Sequence, residues 1–140
     1  MNPINRRTAL TAGLTVAAMP LIAGSAGAVP KAYGPDEGKE LSPGVRLIEL
    51  GQRESNIPAY KTVQMVDIVY QPGAADPPGE AMEADMVCQT IVGKLEVTAG
   101  EQKFTAKEGD VWACGKGSTK ETAANKGSEA AVMRVIMMHA

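Results

Sequence analysis

An all-β sandwich or barrel, folded as a single domain, is the architecture expected from this chain. Three observations lead there. Short runs rich in β-branched residues alternate with turn signals at intervals of roughly 8–12 residues. The signals are Gly-, Pro- and Asn-containing clusters such as Gln71-Pro72-Gly73, Ala99-Gly100-Glu101, Glu108-Gly109-Asp110 and Asn125-Lys126-Gly127. Beyond the first 28 residues no stretch sustains a helical period, and a chain of 140 residues has room for one domain.

The first element is an address rather than part of the fold. Arg6-Arg7 precede an uncharged stretch from Thr8 to Ala28 that closes on the small-x-small site Ala26-Gly27-Ala28. Paired arginines point to twin-arginine export, with cleavage after Ala28. The competing reading is a retained anchor helix, since the stretch is about long enough to cross a bilayer. Gly13, Pro20, Gly24 and Gly27 interrupt it and favour a cleaved signal. No cysteine follows the hydrophobic run, which excludes a lipoprotein anchor. The expected product is therefore periplasmic or secreted, with no stable membrane anchor. Losing Arg6 and Arg7 takes the net charge from −2 to −4. A mildly acidic chain with few aromatics and no basic stripe is a poor nucleic-acid partner.

Residues 29–43 are rich in Gly, Pro and charge and read as a flexible arm. The strands expected after it are Val45–Leu50, then Tyr60–Tyr70, which ends at Gln71-Pro72-Gly73. A loop from Ala74 to Ala84 contains Pro77-Pro78-Gly79. Met86–Val92, Lys94–Thr98, Gln102–Ala106, Val111–Cys114, Lys120–Ala123 and Ala131–Met138 complete the set.

Several chemistries are excluded by counting. The one histidine is His139, next to the C-terminus, so a single chain offers no His₃ or His₂-carboxylate metal site. A Ser-His-Asp or Cys-His constellation would need that terminal residue. Two cysteines make neither a Cys₄ zinc site nor an iron–sulfur cluster. Gly115-Lys116-Gly117-Ser118-Thr119-Lys120 lacks the phosphate-loop spacing and opens no helix.

Pro72-Gly73, Val92-Gly93-Lys94-Leu95-Glu96-Val97 and Lys107-Glu108-Gly109-Asp110-Val111-Trp112 together resemble the two sequence blocks of the cupin superfamily, in particular its small single-domain members. The resemblance runs from about Val63 to Val135. It implies one jelly-roll β-barrel over residues 44–140, and it implies a homodimer, since cupins often pair through their strands. It also implies where a metal would sit. Met86 stands in the place of the usual glutamate, Glu80 and Met82 (or Gly79 and Ala81) in the places of the paired histidines, and Lys120 in the place of the second-block histidine. None of the standard ligands is kept, so no iron, manganese or nickel centre of the usual type is expected.

Other residues then become candidates. Met86 and Cys88 share one face of a strand because side chains alternate with period two. The resemblance places that face inside the barrel and the strand of Cys114 beside it. Three readings stay open. A Cys88–Cys114 disulfide would close a loop of about 25 residues and stabilise by about 3 kcal/mol. Thiolates from Cys88 and Cys114 with Met86 or Met82 would suit Cu(I). All four could instead be inert core. Glu80, Glu83 and Asp85 lie at the expected mouth, as ligands for a hard cation, as a general base, or as a solvated loop. Lys120, if it faces inward, could serve as base, Schiff-base amine or counter-ion. A one-residue shift would turn it to water. Trp112 is core or a ligand platform. His139 beside Met137-Met138 is a copper candidate or a frayed tail.

The expectation that follows is a binding module. It holds a small organic molecule in the barrel, through the pocket candidates Glu80, Met82, Met86, Cys88, Trp112 and Lys120, with no cofactor. The alternatives are a cupin enzyme using unusual metal ligands or Lys120 acid–base chemistry, and a copper-binding protein of the periplasm.

Overall fold

The computed structural model describes residues 33–140. The stretch read as an export signal, residues 1–28, and residues 29–32 lie outside them. Nine strands follow one another: β1 (Lys39–Ser42), β2 (Val45–Glu54), β3 (Thr62–Tyr70), β4 (Asp85–Val92), β5 (Lys94–Ala99), β6 (Gln102–Lys107), β7 (Val111–Cys114), β8 (Thr122–Ala124) and β9 (Ala131–His139). They form a six-stranded sheet in the order β1-β2-β3-β9-β4-β7 and a three-stranded sheet in the order β6-β5-β8, with antiparallel pairing throughout. This is the all-β architecture expected from the turn spacing, and the jelly-roll barrel that the cupin resemblance implies. Among the described residues there is no helix.

Alternation decides which side chains fill the barrel. Val66, Ile68 and Tyr70 of β3, Ala131, Met133 and Val135 of β9, and Cys88 of β4 turn inward from the large sheet. Leu95 and Val97 of β5, Ala106 of β6 and Ala123 of β8 meet them from the small one. The corner between the sheets is Gly93, at φ +73°, where a Cβ would come within 3.2 Å of the Ala131 Cβ. A β-carbon there would strain the backbone and press on β9.

The arm from Tyr33 onward is docked, which corrects the expectation of a flexible segment. Strand β1 pairs along the edge of β2, Arg46 Nε donates to Glu37 O at 3.0 Å, and its Nη2 donates to Gly38 O at 2.8 Å. Gly38 is at φ +82°, and a Cβ would lie 2.3 Å from Leu47 O, so the chain can turn onto the sheet only at a glycine. On the outer face, Asp67 of β3 is fully buried. It accepts Arg134 Nε at 2.8 Å on Oδ1, and Arg134 Nη2 at 2.9 Å and the Tyr33 hydroxyl at 2.7 Å on Oδ2. The expected frayed tail is likewise ordered. His139 pairs with Thr62, and its carbonyl accepts Lys61 N at 2.7 Å.

Candidate functional site

The site is the open core of the barrel, and strand register builds it. Across β9, β4 and β7 one row of facing residues reads Met137, Met86, Cys114; the next reads Val135, Cys88, Trp112. All six point inward. With Met82 from the preceding loop and Met133 from β9, they leave a cavity of about 50 Å³ walled by Met82, Met86, Cys88, Trp112, Cys114 and Met133. Its rim is fixed by two loops zipped together: Met82 N donates to Ser118 O at 2.9 Å, and Gly117 N donates to Met82 O at 2.8 Å. Trp112 serves packing and pocket at once, since its ring meets Phe104 edge-on at 5.9 Å and also lines the cavity.

Both cysteines are buried free thiols. Cys114 stands opposite Met86, and Cys88 opposite Trp112, which makes the two sulfurs diagonal neighbours. Contact with Cys88, burial and contact with the Glu121 carboxylate push the pKa of the Cys114 thiol up.

Two acids that sequence reasoning missed complete the wall. Asp76 accepts the Tyr70 hydroxyl at 2.9 and 3.1 Å and Ala123 N at 2.8 Å. Burial raises its pKa against the pull of those bonds. Glu121 Oε1 accepts the Ser118 hydroxyl at 2.9 Å and Gly100 N at 3.2 Å. Its Oε2 is buried with no hydrogen-bond partner among the described residues. Glu121 was legible in principle, because it shares the inward parity of Ala123 in β8. Asp76 carries no such signal. It stands in a Pro-rich loop and is placed by the bridge between Ala75 and Ala124.

The other sequence candidates are elsewhere. Lys120 is exposed, and its ammonium pairs with exposed Glu101. Strand β8 begins at Thr122, and counting back from buried Ala123 turns Glu121 in and Lys120 out, the one-residue shift that reverses a strand's faces. Glu80 and Glu83 are exposed on the loop. Asp85 latches the rim, accepting the Tyr60 hydroxyl at 2.7 Å and Lys116 N at 2.8 Å. Those bonds hold its carboxyl below the usual carboxylate range. His139 and Met138 occupy successive positions of β9 and point to opposite faces, so His139, Met138 and Met137 do not converge.

The described tyrosines yield a pH prediction. Burial and the Asp67 contact push Tyr33 up to about 12. The bond to Asp85 raises Tyr60, and burial beside Asp76 raises Tyr70 well above the ordinary 10.0. An acid whose folded pKa is raised withdraws stability as pH climbs through its unfolded value. Stability should therefore fall from about pH 10 upward. A near-ultraviolet titration at pH 10 should find about half of the tyrosine ionised in the unfolded chain and far less in the native one.

No family model matches the sequence, and no curated protein matches it. Solved structures do match the fold. An RmlC-like cupin from Shewanella frigidimarina superposes with a TM-score of 0.60 at 15% identity, covering 78% of this chain and 89% of that one. KdgF from Halomonas sp. gives 0.57 at 16% identity, covering 73% and 86%. The Cupin_2 domain of an XRE-family transcriptional regulator from Enterobacter cloacae gives 0.53 at 16% identity, covering 69% and 97%. The chain has the cupin fold.

The positions to which the resemblance assigns metal ligands do not come together. Lys120 and Glu80 are outside the cavity, and Met82 and Met86 present thioethers. Asp76 is committed to Tyr70 and Ala123. Among the described residues no three His, Cys, Asp or Glu side chains converge on one position.

Proposed function

We propose that this protein is a binding barrel whose inner pocket takes a small ligand carrying a hydrogen-bond donor or a positive charge, outside the cytoplasm if the Arg6-Arg7 signal acts as read. The observation that carries this is Glu121 Oε2, a buried oxygen with no hydrogen-bond partner among the described residues, at the wall of a pocket that none of their Lys, Arg or His side chains lines. An unsatisfied buried acceptor costs about 1–3 kcal/mol, and a ligand N–H or O–H recovers that. Acidic walls of this kind disfavour anions, so the ligand differs from the anionic one that an inward Lys120 would have selected. Size narrows the choice further. A cavity of about 50 Å³ holds a few atoms, against roughly 300–1,000 Å³ for sites that enclose a drug-sized molecule. With Lys120 in solvent, acid–base catalysis through it loses its support.

Trp112 lines the pocket and is the chain's one tryptophan, so its emission reports occupancy. In a fragment screen read this way, short amines and amides should bind and carboxylates should not. Glu121→Gln should weaken amine binding about tenfold, which is about 1.4 kcal/mol, while Lys120→Ala leaves it unchanged. Carboxylate fragments that bind the parent and are lost in Lys120→Ala would overturn the reading.

A further inference from the structure

We propose that the sulfur groups of this pocket form a binding site for the soft monovalent ion Cu(I), held by Cys88 and Cys114 with Met86 as a third donor. This rests on the reading that the barrel pocket is the binding site, and it names one ligand by its chemistry. Two of the donors are facing partners on adjacent strands, Met86 of β4 and Cys114 of β7, and Cys88 lies one inward step along from Met86. Cys88 and Cys114 are diagonal inward neighbours in the β4–β7 ladder and line the same cavity, so one ion can reach both. Met82 and Met133 close the same cavity from two further directions.

The donor set selects the metal. Thiolate and thioether groups favour Cu(I), zinc and iron–sulfur clusters. Zinc and the clusters need four strong donors. This pocket has two thiols and no histidine, and its acids do not join them in a group of three. Cu(I) is what remains. The cavity of about 50 Å³ also exceeds the roughly 10–15 Å³ that one water needs, so an ion fits without repacking. Binding changes no oxidation state: two S–H bonds break, two Cu–S bonds form, both protons pass to solvent, and the Met86 sulfur donates a lone pair.

The test is an anaerobic competition in which the purified chain receives Cu(I) as its acetonitrile complex against a chromophoric bicinchoninate chelator. One equivalent of Cu(I) should leave the chelator. Cys88→Ser and Cys114→Ser should each lower affinity by at least about tenfold, and the volume-conserving Met86→Leu by about tenfold. His139→Ala should change nothing. Circular dichroism confirms that each variant is folded, and Met86→Leu keeps the test decisive should a serine variant unfold. The proposal is overturned if the chelator keeps all the copper, or if the variants bind as tightly as the parent. Amine fragments that still shift Trp112 emission in that case would show that this inference alone had failed; silence from both probes would remove the pocket reading as well.

Discussion

Arg134→Met should destabilise the fold by about 3–5 kcal/mol at neutral pH, a large share of the roughly 5–15 kcal/mol that holds a domain of this kind together. The reason is what remains after the change. Asp67 is fully buried on the outer face of the large sheet, and Arg134 satisfies both of its oxygens at 2.8 and 2.9 Å. Without the guanidinium, the Tyr33 hydroxyl at 2.7 Å is the side-chain donor that the carboxylate retains among the described residues. The loss therefore comes from the stranded charge more than from the missing attraction. The double variant Asp67→Leu/Arg134→Met tells the two apart. It removes the buried charge together with its partner and should recover most of the lost stability in urea unfolding. If the double variant is as unstable as Arg134→Met alone, the cost lies in packing and not in an unpaired carboxylate.

Leu95→Ala should cost about 3 kcal/mol, from lost transfer energy and the cavity left behind. Leu95 is fully buried on β5, facing Ala106 of β6 across the ladder. The small sheet contributes Leu95, Val97 and the partly buried Phe104 to the core, with Ala106 and Ala123 beside them. The residue directly opposite Leu95 is the small Ala106, which cannot reach into a hole left there. Leu95→Met, which conserves volume, should cost less than about 1.5 kcal/mol. The exposed neighbour Lys94 is the control, and Lys94→Ala should fall within about 0.5 kcal/mol of the parent. Equal losses for Leu95→Ala and Leu95→Met would show that branching at this position matters more than volume.

Turn chemistry explains why the barrel was readable. Eight expected strands correspond to β2 through β9, and the turns between them end on glycines such as Gly93 and Gly109, both with positive φ. Strand β1 escaped because Lys39-Glu40-Leu41-Ser42 alternates nothing. It is an edge strand held by main-chain pairing and by Arg46, which a hydrophobic pattern does not register. The polar end of β2, beyond a bulge between Glu49 and Gly51, escaped for the same reason.

The pocket was legible where a long strand carries it. Met86 and Cys88 belong to an eight-residue strand whose parity is fixed by its buried members. Cys114 and Trp112 follow from the pairing of β7 with β4. Lys120 failed where the carrier is short. Strand β8 has three residues after an irregular loop, so the pattern left its parity open and a one-residue error exchanged Lys120 for Glu121. That exchange reverses the charge of the pocket and with it the class of ligand. Asp76 was out of reach because tertiary bonds to Tyr70 and Ala123, and no local period, bring it to the wall.

The most direct measurement is a methyl-resonance spectrum of the methionine side chains, recorded as an amine fragment or Cu(I) is titrated in. The methionines report from different sides of the barrel wall: Met82, Met86 and Met133 line the cavity, while Met65 is exposed and Met138 faces away from it. The methyl signals of Met82, Met86 and Met133 should move together and saturate at one equivalent, with those of Met65 and Met138 fixed. Shifts confined to Met65 or Met138, with the three pocket methyls unmoved, would place binding on the outer surface and contradict the pocket as the site of function.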